Sequence, residues 1–371
     1  MRITEVELRR VRLPLVTPFR TGAGQTDVRD VLLVKVSTTE AEGWGECTAM
    51  GEPTYTSEYV DGAHHVIHHH LVPRLVDRPS LTADSVAPAL AAVKGHPMAK
   101  TALEMAVLDA ELRSAGTSLA AHLGGAREAV DAGVSVGMAG SVAELLTSVG
   151  HHVDAGYRRV KIKVGPGWDV EPVRAVRERF ADVTLQVDAN GAYRPAEAAP
   201  LVELDTFELA MIEQPFGPDE LIAHAELARR LRTPVCLDES ITSAAAAQSA
   251  IALGAASVVN VKASRVGGYL EARRVHDVCL ATGVPVWCGG MLESGLGRAA
   301  NVALASLPGF TLPGDLSASD RYYEQDLTPP FVLEDGRLRV PTGPGLGVEV
   351  LDDVIEAFTT SVERVGPGPR A

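Results

Sequence analysis

From residue 133 onward, short apolar runs alternate with longer amphipathic stretches. Each run has the length of a β-strand, and each intervening stretch has the polarity pattern of a surface helix. This alternation is typical of a parallel α/β fold, because each helix returns the chain to the start of the next strand. The eight runs are GVSVG, VKIKV, VTLQVD, LAMIEQP, PVCLDES, SVVNVKA, VPVWCGG and FTLPGD. Eight repeats predict a closed (β/α)8 barrel of the TIM type rather than an open sheet.

Ionisable residues recur at the ends of five successive runs. They are Lys163, Asp188, Glu213, Asp238 and Lys262, spaced 25, 25, 25 and 24 residues apart. One spacing equals one strand-plus-helix unit, so we expect the five side chains to lie at a similar height on the barrel. Active sites of barrel enzymes lie at the carboxyl ends of the strands, because the strand-to-helix loops open there. A solvated strand end explains a single charge, whereas five in succession predict an active site.

Three of these residues, Asp188, Glu213 and Asp238, are carboxylates on adjacent strands. Brought together, they would repel one another and raise one another's pKa values. A divalent cation relieves that repulsion, and oxygen ligands favour Mg²⁺ or Mn²⁺ over Zn²⁺, which prefers His and Cys. We therefore expect one metal ion per active site, held by these three carboxylates.

The two lysines belong to the second and sixth runs, which face each other across a ring of eight. A carboxylate substrate between them would turn opposite faces of its α-carbon to Lys163 and Lys262. One lysine would remove the α-proton to give an enediolate stabilised by the metal, and the other would return a proton or stabilise charge. Lys161 points the same way as Lys163. It is expected to depress the pKa of Lys163, bind a substrate carboxylate or pair with a buried carboxylate.

The first 125 residues have a different pattern, in which strand-like alternation gives way to helical periodicity. We predict an α+β capping domain at 1–125, the barrel domain at 126–320, and a C-terminal segment at 321–371 that completes the capping domain.

The formal net charge of −14 argues against a nucleic-acid or anionic-membrane partner. The first residues lack the pattern of a secretory leader, and no apolar run reaches the length of a membrane span, so a cytoplasmic location is predicted.

The motifs KIK, VDAN, IEQP, LDES and NVKASRVGG, in this order and spacing, resemble those of the enolase superfamily and its muconate-lactonizing subgroup. Longer segments, such as GHPMAKTALEMAVLDAEL and PVWCGGMLESGLGRAANVALASLPGFTLPGD, are similar to actinobacterial o-succinylbenzoate synthases and N-acylamino acid racemases. The resemblance implies a Mg²⁺-dependent (or Mn²⁺- or Co²⁺-dependent) enzyme acting on a small carboxylate: succinyl-hydroxycyclohexadiene carboxylate or an N-acylamino acid. It also implies a homo-oligomer, and a role in menaquinone biosynthesis if the synthase reaction is physiological.

The resemblance also assigns roles to individual residues. Asp188, Glu213 and Asp238 match the metal ligands, and Lys163 and Lys262 match the acid/base pair. The positions that match neighbours of the ligands, and a position associated with racemase chemistry, are Asn190, Glu239 and Arg265. One departure is local: this chain reads Lys-Ala-Ser-Arg from residue 262, where relatives often read Lys-Pro-Gly-Arg. No His follows the seventh run, so the His base of the mandelate racemase subgroup is absent from WCGGMLESG.

Substrate selection is expected from loops over the barrel mouth. Segments 18–26 and 51–59 are candidate lids, in which Phe19 and Tyr55 would pack on an apolar part of the substrate. The candidate hydrogen-bonding groups for the distal end of the substrate are Ser135 and the backbone of Gly289, Gly290 and Met291. The His-rich run at 64–70 is interpreted as a solvated helix, because its residues wind around the helix instead of forming one ligand face.

Other functions stay open at this point. A dipeptide epimerase or a muconate-type cycloisomerase would use the same five groups on another substrate. Dipeptide epimerases carry a paired-Asp motif after the last strand, which Asp315 and Asp320 do not match. A non-catalytic binding or structural descendant would lack at least one of the five groups, and all five are present.

Overall fold

The computed structural model describes residues 1–21, 24–76 and 78–366. The strands of this part are β1 (Ile3–Thr21), β2 (Gly24–Thr38), β3 (Glu42–Cys47), β4 (Ala129–Asp131), β5 (Gly133–Val136), β6 (Arg159–Lys163), β7 (Leu185–Asp188), β8 (Met211–Glu213), β9 (Val235–Leu237), β10 (Val258–Val261), β11 (Val286–Cys288), β12 (Arg337–Arg339) and β13 (Thr359–Val365). The α-helices are α1 (Val60–Val66), α2 (Pro73–Val76), α3 (Ala83–Leu90), α4 (Pro97–Ala115), α5 (Leu119–Leu123), α6 (Val142–Asp154), α7 (Val170–Arg179), α8 (Ala199–Leu204), α9 (Leu221–Ala228), α10 (Ala244–Ala252), α11 (Ala263–Val266), α12 (Tyr269–Thr282), α13 (Gly295–Ala305) and α14 (Asp352–Phe358).

An antiparallel sheet in the order β13-β1-β2-β3 forms the centre of the capping domain. Helix α4 packs on this sheet so closely that strand β3 needs glycine at two positions. A Cβ on Gly45 would lie 1.9 Å from the carbonyl oxygen of Ala102, and one on Gly43 would lie 2.2 Å from that of Ala106. The alternating glycines of EGWGEC therefore specify the contact between β3 and α4.

The barrel is a parallel sheet in the order β11-β10-β9-β8-β7-β6-β5, closed by an irregular eighth segment. Phe310 forms a bridge to Val286 of β11, and Gly314 forms one to Ala132 beside β5. The predicted barrel is confirmed, but its eighth run is not a regular strand. Pro313 has no backbone N–H to donate to a ladder, which limits this segment to isolated bridges.

The two faces of the barrel strands carry different side chains. Val160, Ile162 and Val187 lie fully buried in the cluster beneath the surrounding helices. Lys161 and Lys163 alternate with the first two residues and therefore point into the barrel. The apolar face of β6 thus packs under helices, which leaves the lysine face for the interior.

The end of the described chain returns to the capping domain, where β13 pairs with β1 in antiparallel fashion. Strand β12 instead pairs with β4 at the start of the barrel. In the described ranges, none of the helices combines the length and the apolar character needed to cross a bilayer.

Candidate active site

The carboxyl ends of β6 to β10 form the candidate site. In the parallel register Lys163 pairs with Asp188, which pairs with Glu213. Glu213, however, also pairs with Cys236, and Asp238 follows two residues later. Asp238 is therefore offset by two residues from the hydrogen-bonded partner of Glu213, and the expected similar height of the five groups stays a prediction, since tilted barrel strands are staggered.

Lys163 lies at one end of this arc of charges. Its Nζ lies 2.7 Å from Asp188 Oδ2 and donates to Asn190 Oδ1 at 2.5 Å. Asn190 donates its side-chain amide to Glu239 Oε1 at 3.0 Å and its backbone N–H to Asp188 Oδ1 at 2.9 Å. Burial raises the pKa of Asp188, but Lys163 and then Lys161 outweigh burial and hold it below its ordinary value. Asp188 is therefore a carboxylate that anchors Lys163.

Glu213 is fully buried at the centre of the arc. Its Oε2 accepts hydrogen bonds from Lys161 Nζ at 2.9 Å and Gln186 Nε2 at 2.8 Å, and its Oε1 accepts one from Asn260 Nδ2 at 2.8 Å. Burial and the nearby Asp188 raise the pKa of Glu213 to about 8, although Lys161 acts in the opposite direction. The carboxyl group is thus held rigidly, and a cation nearby would favour its ionised form.

Lys161 is the centre of a buried ion-pair network below the site. Its Nζ lies 2.7 Å from Asp315 Oδ2 and over the ring of Trp287, 4.8 Å from the centroid. The other oxygen of Asp315 lies 2.6 Å from Arg159 Nη1. Burial lowers the pKa of Lys161, but Asp315 and Glu213 outweigh it and hold the pKa well above the ordinary value. Of the three roles predicted for Lys161, the geometry favours pairing with buried carboxylates.

Lys262 and Asp238 form the other end of the arc. Lys262 Nζ lies 2.9 Å from Asp238 Oδ2 and donates to the Tyr55 hydroxyl at 2.8 Å. Arg265 also donates to that hydroxyl, and its Nη2 lies 3.3 Å from Asp238 Oδ1. Burial lowers the pKa of Lys262, but Asp238 and then Tyr55 outweigh it and hold the pKa above its ordinary value. The two lysines are therefore held at opposite ends of the arc by two different carboxylates.

Comparison with known proteins identifies the family. The model of the enolase C-terminal domain-like family matches residues 144–354, and that of the mandelate racemase / muconate lactonizing enzyme N-terminal domain matches residues 3–124. An N-succinylamino acid racemase from Amycolatopsis sp is 60% identical over 367 residues, which cover 99% of this chain and 100% of that protein. The chain belongs to the enolase superfamily.

Two further relatives of this enolase-superfamily chain bear on its chemistry. An o-succinylbenzoate synthase from Geobacillus kaustophilus is 44% identical over 359 residues, 96% of each chain. A dipeptide epimerase from Cytophaga hutchinsonii, solved in complex with Mg and a dipeptide, has a TM-score of 0.90 at 25% identity. That match covers 98% of this chain and 99% of the epimerase. One solved relative with this fold thus binds Mg together with its dipeptide.

The residues predicted near the ligands are brought together by the fold. Asn190 bridges Lys163 and Glu239, and Arg265 is buried against Asp238 rather than exposed at the surface. Tyr55 reaches the site through its hydroxyl group, which hydrogen-bonds Asp238 and Lys262, and its predicted packing on an apolar part of the substrate stays a prediction. Its hydroxyl donates to Asp238 Oδ2 at 3.1 Å.

Two of the backbone N–H groups predicted to bind the distal end of the substrate already have partners in the protein. The Met291 N–H donates to Glu293 Oε2 at 2.8 Å, and the Gly289 N–H donates to the Val261 carbonyl at 3.1 Å, so neither N–H is free to bind substrate. Among the described contacts, the Gly290 N–H has no such acceptor. Gly289 makes room for Lys262, since a Cβ there would lie 2.6 Å from Lys262 Cε. Ser135 is buried at the end of β5.

Of the two candidate lids, segment 51–59 is a loop of turns and bends, whereas segment 18–26 is mostly strand. Strands β1 and β2 extend through most of 18–26, where Phe19 pairs with Thr26 and packs half-buried against the large apolar core. Residues 22–23 of that segment lie outside the described residues.

In the His-rich run, α1 continues into a π-helical turn at Ile67–Leu71, and His64 and His68 both lie within 3.2 Å of Glu363 oxygens.

Three residues that hold the site were missed in the sequence: Gln186, Asn260 and Asp315. Gln186 and Asn260 each stand two residues before a predicted functional residue, so strand alternation places them on the same inward face. This strand alternation can be read from the sequence, and it identifies Gln186 and Asn260 as side chains able to reach Glu213. Asp315 ends the eighth run, where only the closure of the ring reveals that it meets Lys161.

The three carboxylates fit a divalent cation by their chemistry. All donors are oxygens, as Mg²⁺ prefers. Asp238 Oδ1 and the neighbouring Glu239 Oε2 are buried and accept no hydrogen bond from the described residues. As arranged, no three His, Cys, Asp or Glu side chains of the described chain lie close enough to chelate an ion, because the lysines hold Asp188 and Asp238. A bound cation would compete with the lysine ammonium groups for Asp188 and Asp238.

Proposed function

We propose that this chain catalyses proton transfer at the α-carbon of a small carboxylate, as an N-succinylamino acid racemase and an o-succinylbenzoate synthase. The observation that carries the proposal is the pair of lysines held at opposite ends of one arc of carboxylates: Lys163 by Asp188 and Lys262 by Asp238. The 60% identical racemase and the 44% identical synthase support both reactions.

Asp188, Glu213 and Asp238 would hold one Mg²⁺, Mn²⁺ or Co²⁺ ion per site. When bound, the ion would withdraw electron density from the substrate carboxylate and make the α-proton more acidic. In racemisation one lysine accepts the α-proton on its Nζ, and the ammonium of the other lysine delivers a proton to the opposite face. In the synthase reaction one lysine carries the proton from carbon to the departing hydroxyl, and the second ammonium stabilises the enolate charge.

Binding of a dipeptide amine is less well supported by the site. Both oxygens of Asp315 are engaged, one by Arg159 and the other by Lys161, and Asp320 is exposed. The homo-oligomeric state and the cytoplasmic location stay predictions.

The test uses purified protein with MgCl₂ and two substrates. Chiral chromatography follows conversion of N-succinyl-L-amino acid to its D-enantiomer, and ultraviolet absorbance follows formation of o-succinylbenzoate. We expect both conversions in the wild type and neither in the double variant Lys163→Ala/Lys262→Ala. Epimerisation of dipeptides in the absence of both conversions would refute the proposal.

A further inference from the structure

A buried carboxylate of the capping domain contacts the barrel beside the segment that carries Lys262. Glu104, on α4, is 3% exposed. Its Oε2 accepts the backbone N–H of Tyr269 at 2.6 Å, and its Oε1 accepts that of Leu270 at 3.2 Å. These are the first two residues of α12, whose N-terminal N–H groups have no partner within the helix. Glu104 thus caps a barrel helix from another domain.

The capped turn is connected directly to the active site. Lys262 precedes α11, and its carbonyl accepts the Arg265 N–H at 3.0 Å. The carbonyl of Ala263 accepts the N–H of Gly268, the residue before α12, at 3.0 Å. On the capping side, Thr101 Oγ1 donates to the same Ala263 carbonyl at 3.2 Å. The four-residue helix α11 is therefore held between β10 and the turn that Glu104 caps.

The turn lies beside a cavity on one side, although the four residues of α11 are themselves buried. A cavity of about 480 Å³ lies between the two domains here, lined by Leu90 and Lys100 of the capping domain and by Val266, Gly267 and Leu270 of the barrel. Side chains that border a cavity lack contacts on one side. Gly268 leaves no room for a substitute, since a Cβ there would lie 1.8 Å from Glu104 Oε2. The hydrogen bonds of Glu104 thus restrain the turn after α11 on the side where packing is interrupted.

We propose that Glu104 is a positioning residue for the reaction, which acts through α11 on Lys262 and Arg265 and therefore on one face of the substrate. The inference rests on the proposed two-lysine function. Glu104 touches neither Lys163 nor the strand that carries it in the described contacts, so its effect is confined to the proton transfers that Lys262 performs.

The test is the variant Glu104→Gln, which keeps the size of the side chain but replaces one acceptor oxygen by an NH₂ group facing a backbone N–H. Exchange of the α-proton is followed by NMR in D₂O for each enantiomer of an N-succinylamino acid, after Lys163→Ala and Lys262→Ala have assigned one enantiomer to each lysine. We expect exchange through Lys262 to fall on the order of 10-fold, since small misplacements of catalytic groups are that costly. Exchange through Lys163 should change less than twofold.

A matched control is Glu46→Gln. Glu46 is equally buried, and it accepts N–H groups of Ser294 and Gly297 at the start of α13, away from Lys262. Its variant should leave the ratio of the two exchange rates unchanged. If Glu104→Gln does not fold, Thr101→Val tests the same restraint and should lower the Lys262 rate selectively by a few-fold.

Each result decides between the hypotheses. Equal loss of both exchange rates in a folded Glu104 variant, or no loss, would overturn the positioning role while leaving the proposed function intact. A wild type that exchanges neither enantiomer would overturn the proposed function and this inference with it.

Discussion

Replacing Tyr55 by Phe removes one hydroxyl group from the end of the arc that holds Lys262. That hydroxyl accepts from Lys262 and Arg265 and donates to Asp238. A hydrogen bond to a charged group contributes about 1.5–3 kcal/mol. Lys262 and Arg265 both keep Asp238 as a partner after the change, so we count the loss of one hydrogen bond. That loss corresponds to a decrease in the catalytic rate of about 10- to 150-fold. The phenyl ring keeps its stacking position, 5.1 Å from Lys262 Nζ and 5.2 Å from the Arg265 guanidinium.

Steady-state racemisation and enantiomer-resolved exchange in D₂O measure the effect. We expect kcat to fall within that range, and exchange through Lys262 to fall more than exchange through Lys163. Tyr59→Phe is the control, because Tyr59 belongs to the same capping segment and is 38% exposed. A Tyr55→Phe enzyme whose two exchange rates both match the wild type would refute the reasoning that this hydroxyl holds Lys262 in place.

Three further predictions concern the metal, the buried network and the domain interface. EDTA should abolish activity and Mg²⁺, Mn²⁺ or Co²⁺ should restore it, whereas Asp238→Asn should weaken metal binding measured by calorimetry; full activity after chelation would contradict the ligand assignment. Lys161→Met should lower the free energy of unfolding in urea by about 3–5 kcal/mol, because it leaves the buried Glu213 without a cationic partner and Asp315 with Arg159 alone; a loss below 1 kcal/mol would argue against that network. Burial raises the pKa of Glu46 from 4.5 to about 7. Its contribution to stability is therefore fully present below pH 4.5 and is lost as pH rises through 7, by about 3 kcal/mol. The wild type minus Glu46→Gln difference in unfolding free energy should fall over this interval, and a pH-independent difference would contradict the assignment.

The fold followed from the sequence because its signals are local and repeated. The alternation of apolar runs and helices predicted the barrel, and the two faces of VKIKV predicted which side chains point inward. The eighth run was predicted as a strand, but its reduction to isolated bridges was not, because hydrophobic periodicity ignores the missing N–H of Pro313 and the closure of the ring.

The site was only partly readable. The regular spacing placed all five charged residues at the ends of successive strands, but it gave no information on strand register, in which Asp238 stands two residues beyond the partner of Glu213. Tyr55 reaches the barrel from 183 residues away in the chain, and a contact between domains leaves no pattern in one sequence. Propensity and spacing report neighbours along the chain, whereas the partners of the buried charges are set by tertiary packing.

The central claim is that two lysines serve opposite faces of one α-carbon. The most direct measurement is α-proton exchange of each N-succinylamino acid enantiomer in D₂O, recorded by NMR for the wild type, Lys163→Ala and Lys262→Ala. The wild type should exchange both enantiomers, and each variant should lose exchange of a different one by about 10²- to 10⁴-fold, the usual cost of removing an acid/base group. Racemisation should fail in both variants. Racemisation at the wild-type rate in either variant, or loss of the same enantiomer in both, would contradict the two-lysine account.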